Sequence, residues 1–230
     1  MKKNIVIIGA SRGIGNTLLQ KIKSDYTIYA ASRTSENINV NEVNYISFDA
    51  STDTLDTSLL PDVVHGLVYC PGSINLKPFK MLKMEAIRKD MEINFFSMVN
   101  VIHSIIPKMT DKASILLFST VAVGLGMPYH TSIAAAKGAI EGFAKSLAAE
   151  YAPNIRVNVI APSLVDTPLA KRLLGNDKKI ELMAQKHPLK RIGNTEDIAS
   201  MAEFLISDKS GWITGQILGI DGGLSQISNN

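Results

Sequence analysis

The sequence predicts an α/β domain in which helices cover both faces of a doubly wound, mostly parallel sheet. Three observations predict it. Ile5-Val6-Ile7-Ile8 is an unbroken apolar run near the amino terminus, as a strand buried on both faces requires. Gly9, Gly13 and Gly15 then punctuate the chain as G-x-x-x-G-x-G. Strand-like and helix-like patterns alternate from there to the end, with no internal repeat or low-complexity linker. Glycines after a buried strand permit a tight turn and let backbone approach a phosphate. A helix starting near Gly13 would aim its unpaired N–H groups and positive dipole end at such a group. Gly9, Ser11, Arg12, Gly13, Ile14 and Gly15 are therefore candidate cofactor-binding residues.

Each further element follows in order. Ile14, Leu18, Leu19 and Ile22 recur at helical spacing and end near Lys23. Tyr26 to Ala31 reads as the second strand, closed by Ser32-Arg33. Dinucleotide folds selective for NAD usually place an acid there, and this segment has none. Arg33 suits a ribose 2′-phosphate through charge-assisted hydrogen bonds, with Arg12 able to approach the same group. NADP(H) is expected in preference to NAD(H). The eleven residues from Thr34 to Asn44 are too few for an ordinary crossover helix, so an irregular link should lead to the third strand, Tyr45–Phe48.

Val63–Cys70 holds the fourth strand, and Pro71-Gly72 turns the chain beside the expected cofactor site. Met84 to Lys108 reads as one long helix carrying Asn94 in its middle and Pro107 near its end. Ser114–Ser119 is the fifth strand. Ile133–Tyr151 is a helix with an apolar stripe of Ile140, Phe143, Leu147 and Tyr151. Its opposite side, Ala135, Gly138, Ala139 and Gly142, permits close packing within the fold or between subunits. Ile155–Ala161 is the sixth strand, closed by Pro162. Residues 163–190 form a lysine-rich excursion around Leu169, Leu173, Leu174 and Met183. A helix starts at Thr195-Glu196-Asp197 and runs to about Ser207, and Gly215–Ile220 is the last strand.

Composition excludes several classes. The 230 residues are 46% hydrophobic and 20% charged, ordinary for one globular domain. A net charge of +3 without a dense basic run does not imply nucleic acid. The single Cys70 excludes an intrachain disulfide and any multi-cysteine metal site, and no metal is expected. No apolar segment reaches membrane-spanning length and no signal-peptide core follows Met1-Lys2-Lys3, so a cytoplasmic protein is expected.

The glycine triplet, Asp49 after the third strand, Asn94 in its helix and Lys137 opening another resemble the short-chain dehydrogenase/reductases. The ending resembles them as well: Arg191-Ile192-Gly193, Glu196-Asp197-Ile198-Ala199, Ile213-Thr214-Gly215-Gln216 and Asp221-Gly222-Gly223. The resemblance covers nearly the whole chain. It implies a single Rossmann-type domain over residues 1–230, seven parallel strands in the order 3-2-1-4-5-6-7, and a homodimer or homotetramer. It also implies hydride transfer between NAD(P)H and a carbonyl or alcohol. By the same resemblance Asp49 and Ala50 would hold the adenine. Cys70 and Gly72 belong to the segment beside the cofactor, which reads Tyr69-Cys70-Pro71-Gly72 in place of Asn-Asn-Ala-Gly. Pro162, Val165 and Thr167 lie in the segment that contacts the nicotinamide and phosphates, with Ser163 replacing glycine. Cys70 reads as a small buried hydrophobe.

The catalytic centre departs from the family. Its members carry serine, then tyrosine thirteen residues on, then lysine four later. Here Lys137 is present and Thr120 supplies the hydroxyl, but the tyrosine position is Ile133, which has no titratable proton. His130 and Tyr129 precede Lys137 by seven and eight residues. The enoyl-thioester reductases of this superfamily displace their tyrosine to the position His130 occupies, and histidine titrates near neutrality. Three readings stay open: a relocated acid at His130 or Tyr129 pointing into the cleft near Thr120, a proton from water, or an NADP-binding pseudoenzyme with a regulatory or scaffolding role. The expected substrate is a small carbonyl or enoyl compound, acyl thioesters included. Lys171, Arg172, Lys178, Lys179, Lys186, Lys190 and Arg191 rim the excursion, either as a docking edge for such thioesters or as a solvated face.

Overall fold

The computed structural model describes residues 2–227. Its seven strands are β1 Asn4–Ile8, β2 Thr27–Ser32, β3 Asn44–Ser47, β4 Val64–Tyr69, β5 Met109–Phe118, β6 Ile155–Pro162 and β7 Ile217–Ile220. They form one parallel sheet in the order β3-β2-β1-β4-β5-β6-β7, as expected. The main helices are α1 Gly13–Ile22, α2 Met84–Met91, α3 Ser97–Ile105, α4 Ala122–Leu125, α5 Thr131–Tyr151, α6 Lys171–Leu174, α7 Asp177–Gln185 and α8 Thr195–Ile206.

Side-chain alternation along the strands builds two cores. Ile5 and Ile7 of β1 pack with Leu18, Leu19 and Ile22 of α1 and Ile198, Ala202 and Leu205 of α8. Val6 and Ile8 face the opposite way, toward Met98, Val101, Ile102 and Ile105 of α3 and Ile140, Ala144 and Leu147 of α5. A strand buried on both sides must be apolar, and β1 is so from Ile5 to Ile8, with Asn4 half-buried at its amino-terminal edge. The stripe on α5 faces this core, whereas the small-residue face packs only in part: a Cβ on Gly138 would sit 3.6 Å from Val123 of α4, while Ala135 and Gly142 are exposed.

Several boundaries differ from the sequence reading. The link from residue 34 to residue 43 is irregular, as its length requires. β5 begins five residues earlier than expected, across a register irregularity opposite Val64 and Gly66. The expected single helix over Met84–Lys108 is interrupted by a π turn at Glu92–Phe96 and closes in a 3₁₀ turn at Ile106–Lys108, where Pro107 stops it. Asn94 accounts for the π turn. Its Nδ2 donates to the Asp90 carbonyl at 2.8 Å, the oxygen its own backbone N–H would take in an unbroken α-helix. The cap of α8 is Asn194, one residue before the expected start. Its side chain accepts from Asp197 N at 2.9 Å, and the Asp197 carboxylate accepts from Asn194 N at 2.8 Å.

Candidate active site

The carboxyl ends of β1, β4, β5 and β6 lie side by side, and the loops leaving them form one cleft. Gly9 leaves β1 with φ +82°, and a Cβ there would sit 3.1 Å from Pro71 Cδ. At Gly15 a Cβ would overlap the Gly9 carbonyl and lie 3.2 Å from Cys70 Sγ. Helix α1 therefore starts hard against both the turn and β4, with its first amides at the cleft. Asn16 Nδ2 braces the turn by donating to Ala10 O at 3.1 Å and to Asn37 O at 2.9 Å. From the β6 side, Thr167 and Pro168 pack 3.8 Å from the position of a Gly13 Cβ. Val165 is buried and pairs with Gly193.

Lys137 projects from α5 and is nine-tenths buried, its Nζ donating to Phe118 O at 2.9 Å. Burial disfavours the ammonium and pushes its pKa from 10.5 down to about 8. Burial likewise pushes the Cys70 thiol up to about 12, so it is protonated at neutral pH and packs as a small apolar group. Asn94 is fully buried. A Cβ on Gly72 would lie 2.9 Å from Asn94 Oδ1 and 3.5 Å from Lys137 Nζ, so these two polar atoms flank a position only glycine leaves open. Thr120 follows β5, and its Oγ1 accepts from Ala122 N at 3.3 Å. Ile133 is 4% exposed.

The nucleotide end is less uniform. Arg33 is exposed at the end of β2, and the Ser32 hydroxyl donates to Thr34 O at 2.9 Å. Asp49 accepts from Ser51 Oγ at 2.5 Å and Ser51 N at 3.0 Å; these bonds hold its carboxyl below its usual range, with a smaller contribution from Arg33. Ala50 is half-buried beside it. Arg12 is not free: its guanidinium pairs with Glu36. The absence of an acid immediately after β2 is thus qualified by a carboxylate brought back from three residues beyond Arg33. Arg12 and Glu36, with Gly13, Asn16, Thr17 and Pro168, line a cavity of about 430 Å³.

The structure does not join Tyr129 or His130 to these groups. Tyr129 is 58% exposed with φ +69°, and its carbonyl accepts from Lys77 N at 3.3 Å. His130 Nδ1 lies 2.7 Å from Pro128 O, and since a carbonyl can only accept, Nδ1 carries the proton. Among the described residues, neither side chain is hydrogen-bonded to Thr120, Asn94 or Lys137. Among them, too, no cluster of three metal-binding side chains occurs and no helix is long and apolar enough to cross a membrane.

Two features escaped the sequence reading. Asp90 is fully buried one turn before Asn94, and Ser73, Asn75 and Ser132 converge on it. The D-x-x-x-N spacing on one helix face was the available signal. The second is His187, 3% exposed, whose Nδ1 donates to Met183 O at 2.9 Å and whose Nε2 accepts from Ser163 Oγ at 2.9 Å. It ties the 163–190 excursion to the end of β6. Leu174 alone of the expected apolar residues there is buried, while Leu169 is 52% exposed.

Residues 27–225 match the family described as Enoyl-(Acyl carrier protein) reductase. The chain is a short-chain dehydrogenase/reductase. It is 32% identical over 241 residues to the 3-oxoacyl-[acyl-carrier-protein] reductase FabG of Thermotoga maritima, covering 96% of this chain and 97% of that protein. Over 121 residues it is 40% identical to the inactive 2-(S)-hydroxypropyl-CoM dehydrogenase 2 of Xanthobacter autotrophicus, covering 50% of this chain and 53% of the relative. The ligand-free aldohexose dehydrogenase of Thermoplasma acidophilum superposes with a TM-score of 0.87 at 27% identity, over 100% of this chain and 98% of that one. The family is one of oxidoreductases that bind a nicotinamide cofactor.

Proposed function

We propose that this chain is an NADP(H)-dependent reductase of a carbonyl or enoyl compound, acyl thioesters included, and that residues 1–230 act as one nucleotide-binding unit. The observation that carries the reading is the convergence of Lys137 Nζ and Asn94 Oδ1 on the bare Cα of Gly72, beside the glycine turn. Nothing in a purely structural α/β domain calls for a buried lysine there. The near-complete match to a 3-oxoacyl-[acyl-carrier-protein] reductase supports the substrate class. A bound nicotinamide would supply or accept the hydride. The Gly9–Gly15 turn and the α1 amides would hold the phosphates, Asp49 and Ala50 the adenine, and Lys137 the ribose, with Pro162, Val165 and Thr167 closing the other side. Arg33 would meet a 2′-phosphate, and Arg12 would join it on leaving Glu36.

Thr120 would hold the substrate oxygen through its hydroxyl hydrogen, since its lone pair already serves Ala122 N. The proton must come from elsewhere than Ile133. His130 is the better relocated acid, with Tyr129 second. With its Nδ1 hydrogen committed to Pro128 O, His130 donates through Nε2 only as imidazolium. The protein would act in the cytoplasm as a homodimer or homotetramer. A second reading, an NADP-binding pseudoenzyme, is favoured by the buried isoleucine at the tyrosine position. NADPH oxidation measured across ketone, 3-oxoacyl and enoyl substrates separates the two. Turnover on any of them supports the reductase. Micromolar NADPH binding without turnover on all three supports the pseudoenzyme.

A further inference from the structure

Past Gly72 the chain enters a segment whose outer face neither the cores nor the cleft accounts for. Ser73 Oγ and Asn75 Nδ2 donate to the buried Asp90 carboxylate at 2.5 and 2.8 Å, which fixes the root of the segment against α2. Leu76, Leu82 and Ile87 are half-buried and hold it to the fold. A 3₁₀ turn at Phe79–Met81, closed by Met81 N to Pro78 O at 2.9 Å and Leu82 N to Phe79 O at 3.0 Å, leads into α2. The outward side chains are Phe79, Met81 and Met84, which are 71%, 64% and 63% exposed. Between and beyond them stand Lys77, Lys80, Lys83, Arg88 and Lys89, all exposed. Among the described residues, none of these five cations takes part in an ion pair. Glu85 is the one acid in residues 77–89, so five cations against one acid give +4, more than the +3 of the whole chain.

We infer that this ridge docks the protein on an anionic lipid surface. Large apolar side chains exposed so close together mark an interaction face, and the interleaving of charge decides what covers it. The core of a protein–protein interface is depleted of lysine, because an ammonium buried there needs a partner. Here Lys80 stands between Phe79 and Met81, and Lys83 directly precedes Met84. At a bilayer the same interleaving is favourable. Phenylalanine and methionine enter the boundary between headgroups and acyl chains, while the lysine stems lie along it and keep their ammonium groups among the lipid phosphates. A nucleic-acid strand would call for stacking platforms, and Phe79 is the only aromatic residue in the segment. Lys77 N donates to Tyr129 O at 3.3 Å, which brings the loop of Tyr129, itself 58% exposed, alongside the ridge. A phenol ring, apolar with a polar tip, suits the same boundary. Docking of this kind is independent of the reductase assignment.

Co-sedimentation of the full chain with vesicles provides the test. Vesicles of equal parts phosphatidylglycerol and phosphatidylcholine should carry the protein down at low salt, and vesicles of phosphatidylcholine alone should not. Lys80→Gln combined with Lys83→Gln should weaken partitioning by about 25-fold, at about fivefold per cation. Phe79→Ser should weaken it by about tenfold. Phe79 belongs to neither core, so its replacement should leave the melting curve as it was. Met81→Ser, on the same face, serves should Phe79→Ser disturb the fold. Lys178→Gln with Lys179→Gln removes two exposed cations of α7 and should leave partitioning nearly as it was. No partitioning, equal partitioning onto neutral vesicles, or an equal loss in the α7 variant overturns the inference. So does binding to polyglutamate that matches the vesicles and ignores Phe79→Ser, since the occupant would then be an acidic macromolecule.

Discussion

Lys137 is a charged group held where charge is disfavoured, and its replacement by methionine should have a pH signature. In the folded chain the amine loses its proton near 8, against 10.5 for an ordinary lysine. At ~1.4 kcal/mol per tenfold change in proton affinity, the gap is worth ~3 kcal/mol. Between these two pH values the unfolded chain holds the proton and the folded chain does not. The contribution of Lys137 to unfolding free energy therefore rises with pH through this window. Lys137→Met keeps the volume and removes the titration. The lost bond to Phe118 O shifts the comparison by a further ~1 kcal/mol that hardly changes with pH. Urea unfolding at pH 7, 8, 9, 10 and 10.5 should show the variant's stability relative to the parent declining by ~3 kcal/mol across the series. Groups common to both chains cancel in that difference. A difference that stays flat from pH 7 to 10.5 refutes the reasoning, because Lys137 would then titrate alike in both states.

Glu36→Gln frees Arg12 from an exposed ion pair worth ~1 kcal/mol at most, so NADPH should bind up to about fivefold more tightly while NADH affinity measured by the same fluorescence titration stays constant. Ser163→Gly brings that position closer to the family pattern, yet it strands the buried Nε2 of His187 and should lower stability by ~1–3 kcal/mol in urea melts. If a relocated acid operates, His130→Ala should cut turnover by about a hundredfold or more, and Tyr129→Phe should do so if that residue is the donor instead. Unchanged rates in both eliminate the relocated acid, whereas a large gain in carbonyl reduction by Ile133→Tyr would show that only the tyrosine was missing.

The architecture was legible because it is encoded locally. An apolar strand followed by glycines, and the alternation of periods along the chain, place six of the seven strands to within about two residues. β5 starts earlier than its apolar run because Met109–Lys112 pair weakly at the sheet's amino-terminal rim, where burial does not select for apolar residues. The π turn was not legible, since it depends on one side chain outcompeting the backbone for a carbonyl. Much of what escaped the site reading is a pairing between positions far apart in the chain. Glu36 meets Arg12 across 24 residues, Ser132 meets Asp90 across 42, and His187 meets Ser163 across 24. None carries a periodicity, and each polar residue taken alone looks like an ordinary surface or loop residue.

Ile133 changes what the remaining groups are asked to do. On the proposed reading, hydride addition leaves an oxyanion beside Thr120, and the site must both stabilise and protonate it. In the family scheme the lysine assists by lowering the tyrosine's pKa; with no tyrosine, that assistance has no object. A lysine held near 8 is itself a far stronger acid than one at 10.5 and remains mostly protonated at neutral pH, which is the balance a general acid needs. Burial supplies the acidity, while the Phe118 carbonyl accepts one hydrogen of the ammonium. Should neither His130 nor Tyr129 deliver the proton, a water held by Lys137 is the remaining route, and the rate would then fall as pH rises through about 8.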